Sequence, residues 1–270
     1  MTEWRVYGCG SASSSQFMQS SYEFTSGDTR LHVDFGNGAL YQRCRLEGDI
    51  FKALDSIEHL FITHSHADHI VDLTRHVVAW KYTPNYSPGK PVHLYATKHT
   101  LERVEHLLEY ATFPGLFDEV FVSHPVEENR PMQIGPLTVR PFLVKHMPGA
   151  VGLHVESPDG ASAAFTADTA PFNELHAEIQ DASLLISEAS FCEKDHPMHL
   201  TVSQAAELAE KVNAKTLLMV HAYPEVEELE QTQLQDRVGK YFSGEYFAAH
   251  DGMSLVWDPN SQSWNQSKMF

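Results

Sequence analysis

The sequence predicts an α/β protein of four layers, in which two packed β-sheets carry helices on their outer faces. Short strand-like runs dominate both halves of the chain, and helical stretches are interspersed in both. The 270 residues, 42% hydrophobic and 20% charged, suffice for a sizeable buried core. Residues 1–270 read as one domain, without repeats, low-complexity tracts or an interdomain linker.

The early chain reads as strands. WRVYGCG, QSSYEFTSG and TRLHVDFGNG are rich in β-branched and aromatic residues, with glycines between them. DIFKALDS then reads as a helix and IEHLFITH as a strand. From Asp68 to Tyr82 the period is helical, with Ile70, Leu73, Val77 and Trp80 near one face. Proline and glycine interrupt it in YTPNYSPGKP. Next come a strand (VHLYA), a helix (HTLERVEHLLEYA) and a Phe-Pro-Gly turn. In the second half, LTVRPFLVKH is a strand ending in histidine, and VGLHVESPDGASAAFTAD is a hairpin around Pro158-Asp159-Gly160. ASLLISEAS reads as a buried strand, TVSQAAELAEKVNA as an amphipathic helix, and KTLLMVHAY and DGMSLVW as the last strands.

Composition narrows the function. The net charge is -17 with histidines neutral, which argues against long nucleic acids as ligands. The three cysteines, Cys9, Cys44 and Cys192, are far apart and form no paired framework, as expected of a reducing compartment. No stretch has the roughly 18 apolar residues of a membrane span, and the N-terminus lacks signal-peptide features. A cytoplasmic protein without membrane contact is expected.

One stretch carries the chemistry. In FITHSHADHIVDL, His64, His66, Asp68 and His69 form H-x-H-x-D-H at the end of an apolar strand. Side chains two apart on an extended segment share a side, so His64 and His66 can converge on one ion. Asp68 and His69, where the chain turns helical, aim at a different point. The spacing suits two neighbouring cations, and imidazole with carboxylate is a ligand set for zinc or manganese. Further ligands are expected just after later apolar strands: His146 after RPFLV, Asp168 in AAFTAD and His221 after KTLLMV. Asp168 can bridge both ions through its two oxygens. Apart from His199, the remaining histidines are expected to be ordinary; His76, for one, is expected on a helix surface.

T-H-S-H-A-D-H followed by His146, Asp168 and His221 resembles the metallo-β-lactamase fold superfamily over nearly the whole chain, from YGCGSASS to HDGMSLVWD. The resemblance implies an αββα sandwich of two mixed sheets with a two-metal site at one edge. One ion would take His64, His66 and His146, the other Asp68, His69 and His221, with Asp168 shared. The metals would be divalent, zinc first, with manganese or iron also accommodated. A homodimer is likewise implied.

Glu188 in LLISEASF and His199 in PMHLTVSQAAELA resemble the ribonuclease Z-like phosphodiesterases. There a glutamate in a His-Glu-Ala-Thr-like strand end orients a histidine that faces the scissile phosphate. Here the segment is Ser187-Glu188-Ala189-Ser190, so the residue before the glutamate departs from that pattern. A carboxylate beside an imidazole favours the imidazolium, which can protonate a leaving oxygen. The expected reaction is attack on phosphorus by a hydroxide held between two cations. Asp68 or Asp168 would orient the nucleophile, while His199 and Glu188 would assist the leaving alcohol. Between His146 and Asp168 only one hairpin intervenes, where ribonuclease Z proper has a long tRNA-gripping arm. A small phosphodiester such as a cyclic nucleotide is therefore the expected partner. The rival readings are a carboxylic-ester or lactone hydrolase, a ribonuclease Z-type endonuclease, and a non-catalytic metal-binding protein.

Substrate contacts are expected from loops. GSASSSQFMQSS offers hydroxyls and backbone N–H groups, with Phe17 and Met18 as apolar contacts. Trp80, Tyr82 and Tyr86 can stack on a base, pack a dimer interface or join the core. FPGLF, residues 113–117, can form another wall.

Overall fold

The computed structural model describes residues 1–180 and 182–267; position 181 and positions 268–270 of the expected domain lie outside the described residues. The chain first builds β1 (Thr2–Gly8), β2 (Ser21–Ser26), β3 (Thr29–Val33), β4 (His59–Phe61), β5 (Val92–Thr97) and β6 (Phe121–Val126). A second sheet follows: β7 (Met132–Ile134), β8 (Leu137–Leu143), β9 (Val151–Glu156), β10 (Ser162–Phe165), β11 (Leu184–Glu188), β12 (Thr216–Val220) and β13 (Glu245–Ala248). The chain then returns to the first sheet as β14 (Ser254–Asp258) and β15 (Ser263–Gln266). The sheet orders are β15-β14-β1-β2-β3-β4-β5-β6 and β13-β12-β11-β10-β9-β8-β7. Both sheets are mixed. Strands β3 to β6 pair in parallel, as do β10 to β13, and the other pairs are antiparallel.

Three apolar clusters separate four layers. Alternate residues of β1, β2 and β3 (Trp4 and Val6, Tyr22 and Phe24, Leu31 and Val33) meet Leu153, Phe165, Ile186 and Leu218 between the sheets. Trp4 stacks on Tyr22 at 5.7 Å and leans on Phe165 at 5.9 Å. Burying each such ring contributes on the order of 2 kcal/mol or more. Outside the first sheet, Leu40, Leu54, Leu73, Val77, Val104 and Leu108 bring in four helices. Outside the second, helix Val202–Lys211 buries Val202, Ala205, Ala206 and Ala209, and starts with a Thr201–Gln204 capping box. The architecture is the expected αββα sandwich. Among the described residues no helix is long and apolar enough to cross a membrane.

Several expectations need correction. The helical run from Asp68 to Tyr82 is two helices, Ala67–Ile70 and Leu73–Tyr82. The Asp72 N–H turns away to the carbonyl of Phe35, which breaks the ladder. His76 is fully buried rather than on a helix surface, wedged between Phe35 at 5.5 Å and Phe121 at 6.2 Å. Helix Ala39–Glu47 escaped the sequence reading because it buries Gln42 and Arg43, so its inward face shows no apolar period. The short strands β6, β7, β13 and β15 escaped it too.

Of the roles open to the aromatic loop, Trp80 and Tyr86 take core packing, and the Tyr86 phenol donates to Asp55 Oδ1 at 2.8 Å. Tyr82 is exposed and meets Phe113 edge-on at 5.2 Å. Leu116 and Phe117 are buried rather than forming an open wall. Phe17 packs on the inter-sheet core, and the Met18 side chain fills the space beside Gly38.

Candidate metal centre

The parallel strands end at one edge of the sandwich, and the expected ligands leave from those ends. His64 and His66 follow β4, and Asp68 and His69 lie in the short helix Ala67–Ile70. His146 follows β8, Asp168 follows β10, and His221 comes directly after β12. Strand β8 runs with β10, because both are antiparallel to β9 between them. All seven side chains meet, as one group of His64, His66, His146 and Asp168 and another of Asp68, His69 and His221. Asp168 Oδ2 lies 3.7 Å from His64 Nε2, 3.5 Å from His69 Nε2, 3.6 Å from His146 Nε2 and 3.4 Å from His221 Nε2. His221 Nε2 is also 3.1 Å from Asp68 Oδ2, and His146 Nε2 is 2.9 Å from His66 Nδ1.

The hydrogen bonds behind the cage assign the tautomers. His69 Nδ1–H donates to Asp34 Oδ2 at 2.8 Å. The Thr63 hydroxyl donates to Asp34, so it accepts from His64 Nδ1–H at 3.1 Å. His146 Nδ1–H donates to the Met198 carbonyl at 3.1 Å. The Ser190 hydroxyl donates to Glu188 Oε2 and accepts from His221 Nδ1–H at 3.0 Å. In all four histidines Nδ1 is tied outward, and Nε2 is left facing inward, where a cation could take its lone pair.

Local strain supports this geometry. Asp34, Ala167 and His221 have φ of 61°, 49° and 58°, the left-handed region that costs non-glycine residues on the order of 1–3 kcal/mol. Each lies at a strand end that feeds the cage. Gly36 lets the chain pass against the motif: a Cβ there would sit 2.0 Å from the Asp68 carbonyl oxygen.

His64 Nε2, His69 Nε2 and Asp168 Oδ1 are buried, with no hydrogen-bond partner among the described residues. An orphaned buried polar atom costs on the order of 1–3 kcal/mol, and a cation would satisfy all three. The donor set of imidazole and carboxylate fits a divalent metal. Electrostatics agree. Burial, and then the neighbouring His69, push the His64 pKa well down, which keeps a lone pair available. Burial also pushes the His146 pKa to about 4. His69 differs: burial works against its charge, yet Asp168 and Asp34 together hold its pKa well above the usual value, so a cation binding there would have to displace the Nε2 proton.

Beside the cage, His199 Nδ1 lies 3.0 Å from Glu188 Oε2. Glu188 is fully buried at the end of β11 and also accepts from the Thr169 N–H and the Ser190 hydroxyl. Burial raises the Glu188 pKa. Burial opposes charge on His199, but the Glu188 hydrogen bond and charge raise its pKa overall. The pair thus retains a proton to higher pH than free side chains would.

Sequence reasoning missed Asp34, Thr63, Ser190 and Tyr223. Asp34 carried the same signal as the ligands, an aspartate directly after an apolar strand. Tyr223, two residues after His221, places its ring 6.0 Å from His199 and 6.2 Å from His221.

Comparison with known proteins then decides the family. The model of the anti-Pycsar protein Apyc1 family matches residues 2–239. The chain belongs to the anti-Pycsar protein Apyc1 family. An uncharacterized protein of Mycobacterium tuberculosis is similar to this Apyc1-family chain, 30% identical over 201 residues that cover 72% of this chain and 70% of the other. The human zinc phosphodiesterase ELAC protein 2 is 27% identical over 219 residues, covering 73% of this chain and 26% of that protein. Among solved structures, the metallo-β-lactamase fold protein YhfI of Bacillus subtilis superposes with a TM-score of 0.78 at 22% identity, covering 94% of this chain and 98% of YhfI. The Apyc1-family chain therefore has the metallo-β-lactamase fold, and its sequence resemblance to that superfamily stands.

Proposed function

We propose that this protein is a metal-dependent phosphodiesterase acting on a small phosphodiester, with cyclic nucleotides as the favoured class. The observation that carries the reading is the buried Glu188–His199 pair, 3.0 Å apart, set against a cage of seven side chains able to hold metal. His64, His66 and His146 would hold one divalent cation, and Asp68, His69 and His221 the second, with Asp168 shared. Zinc suits this donor set first, and manganese or iron can replace it. Bound there, such cations supply Lewis-acid polarisation of phosphate oxygens and lower the pKa of water toward neutrality.

The chain's own residues supply the rest. Asp68, whose Oδ2 faces the cage, orients the attacking water by accepting its hydrogen bond. Glu188 engages His199 at Nδ1, so Nε2 is the ring nitrogen left for substrate. His199 carries the proton at Nε2 and gives it to the departing alcohol oxygen. Glu188 stabilises the imidazolium and, through Ser190, fixes His221 in the same network.

Two findings support a small ester over a long RNA, and a third bears on the kind of ester. The segment between His146 and Asp168 is filled by the β9–β10 hairpin, which leaves no length for a nucleic-acid arm. A net charge of -17 disfavours polyanions. The Apyc1 family match and the similarity to a zinc phosphodiesterase favour phosphodiesters over carboxylic esters. The test is a side-by-side assay of metal-reconstituted protein on bis-p-nitrophenyl phosphate, a cyclic mononucleotide panel and a homoserine lactone. Turnover of the phosphodiesters above the lactone is expected; lactone turnover alone would overturn the reading.

A further inference from the structure

The wall of the site opposite the H-x-H-x-D-H loop is aromatic. Phe191 lies just past β11, and its ring is sandwiched. His196 stacks on it at 4.7 Å and 20°, and Tyr223 stacks on it at 4.8 Å and 24°. Three parallel rings therefore run along the flank of His199, whose own ring is 5.2 Å from His196 and 6.0 Å from both Phe191 and Tyr223.

The backbone that carries this stack is tied down. The Tyr223 N–H donates to the Ser190 carbonyl at 3.2 Å, and the Tyr223 carbonyl accepts from Val226 and Glu227. Pro224 opens the following helical turn, which fixes the exit of the chain. On the other side, the Phe191 N–H donates to the Leu200 carbonyl and the Phe191 carbonyl accepts from Val202. Both faces of Phe191 are covered by the protein itself, so this ring supports its neighbours and is not free to stack on substrate.

The Tyr223 phenol, by contrast with its backbone, is not tied down. The residue is half-buried, yet among the described residues no hydrogen bond engages its hydroxyl. Tyr7, Tyr86 and Tyr95 place theirs on Glu23, Asp55 and His59, whereas the unpartnered Tyr22 phenol lies within the inter-sheet core. A rigid ring edge-on to both His199 and His221, with an unengaged phenol, is a preorganised donor.

We infer that Tyr223 is a substrate-binding residue whose phenol donates a hydrogen bond to a non-bridging oxygen of the phosphate held between His199 and His221. This rests on the phosphodiesterase reading. A neutral donor suits that place, since it stabilises charge on phosphorus oxygens without adding a second cation beside the His199 imidazolium. Removing one preorganised donor of this kind lowers turnover by about 10²-fold where the contact strengthens in the transition state.

The test compares parent and Tyr223→Phe, which keeps the stacking ring and removes only the hydroxyl. Metal-loaded proteins are assayed on bis-p-nitrophenyl phosphate, and orthophosphate affinity is measured by calorimetry. Metal content and melting temperature are followed in parallel. The expected result is a fall in kcat/KM of at least tenfold, carried by kcat, with metal content and melting temperature unchanged. A matching loss of orthophosphate affinity strengthens the assignment. A fall in kcat with that affinity held also supports it, as a contact made in the transition state.

Parent-like kcat/KM in Tyr223→Phe overturns the inference and leaves the phosphodiesterase reading intact. Loss of metal or of thermal stability overturns it as well, since the phenol would then be structural. If the parent hydrolyses no phosphodiester, the functional reading fails, and the orthophosphate affinities alone decide on Tyr223. Equal values, or no binding by either protein, would refute it.

Discussion

Asp34 Oδ2 accepts the Nδ1–H of His69 at 2.8 Å, and the same carboxylate accepts both the N–H and the hydroxyl of Thr63. Through Thr63 it also steadies His64. One buried aspartate, held at a φ of 61°, therefore orients a histidine from each half of the cage. Replacing Asp34 with Asn should leave the fold and lower divalent-metal affinity by about 10- to 100-fold, the usual loss for such outer partners. Competition with a chelating zinc indicator measures it; parent-like affinity would remove Asp34 from the account.

His199→Ala should cut turnover of a phosphodiester by about 10²- to 10⁴-fold while metal content stays at the parent level. The effect should shrink for bis-p-nitrophenyl phosphate, because its nitrophenolate leaves without a proton. Steady-state rates on good and poor leaving groups, with elemental analysis of the same samples, check this. Equal losses on both substrates would contradict a proton-donor role.

Gly36→Ala tests the close approach behind the motif. The added Cβ would sit 2.0 Å from the Asp68 carbonyl, so the motif backbone must move. A stability loss of about 1–3 kcal/mol is expected in a well-packed region, together with weaker metal binding. Chemical denaturation with and without metal reads both effects; an unperturbed variant would mean that the backbone gives freely there.

Acid stability has a source outside the metal cage. Burial, and then the charges of Arg43 and His32, hold the His76 pKa at about 3, and neither ring nitrogen has a partner among the described residues. The folded pKa is depressed below the unfolded value near 6.5. The full stability is therefore present above pH 6.5 and is lost as pH falls toward 3, because only the unfolded chain takes up the proton. From pH 7 to pH 5 this single group accounts for about 2 kcal/mol. His76→Leu should remove that portion, which denaturation curves at the two pH values would show. An unchanged pH dependence in the variant would rule His76 out.

What was legible in the sequence follows from where the signals lay. The cage was legible because its residues occur after apolar strands, and chemistry restricts what histidines at such spacing can do. Asp34 went unread although it had the same position, since nothing local distinguishes a ligand from the residue that holds a ligand. Ser190 and Tyr223 gain meaning only from partners far away in sequence, across the β11–β12 edge. The layers were legible from alternation in strands such as β1 and β2. Helix Ala39–Glu47 was not, because its buried face carries Gln42 and Arg43, and Arg43 pairs through its two terminal nitrogens with Glu23 of β2 and His32 of β3. His76 was misplaced for a related reason: a polar residue in an amphipathic stretch was assigned to water, while tertiary packing put it between two phenylalanines.

Metal stoichiometry tests the central claim most directly. Protein reconstituted with zinc, passed through gel filtration and analysed for metal should carry two ions per chain, and Asp168→Ala should carry fewer. A parent chain that retains no metal after reconstitution would contradict the account.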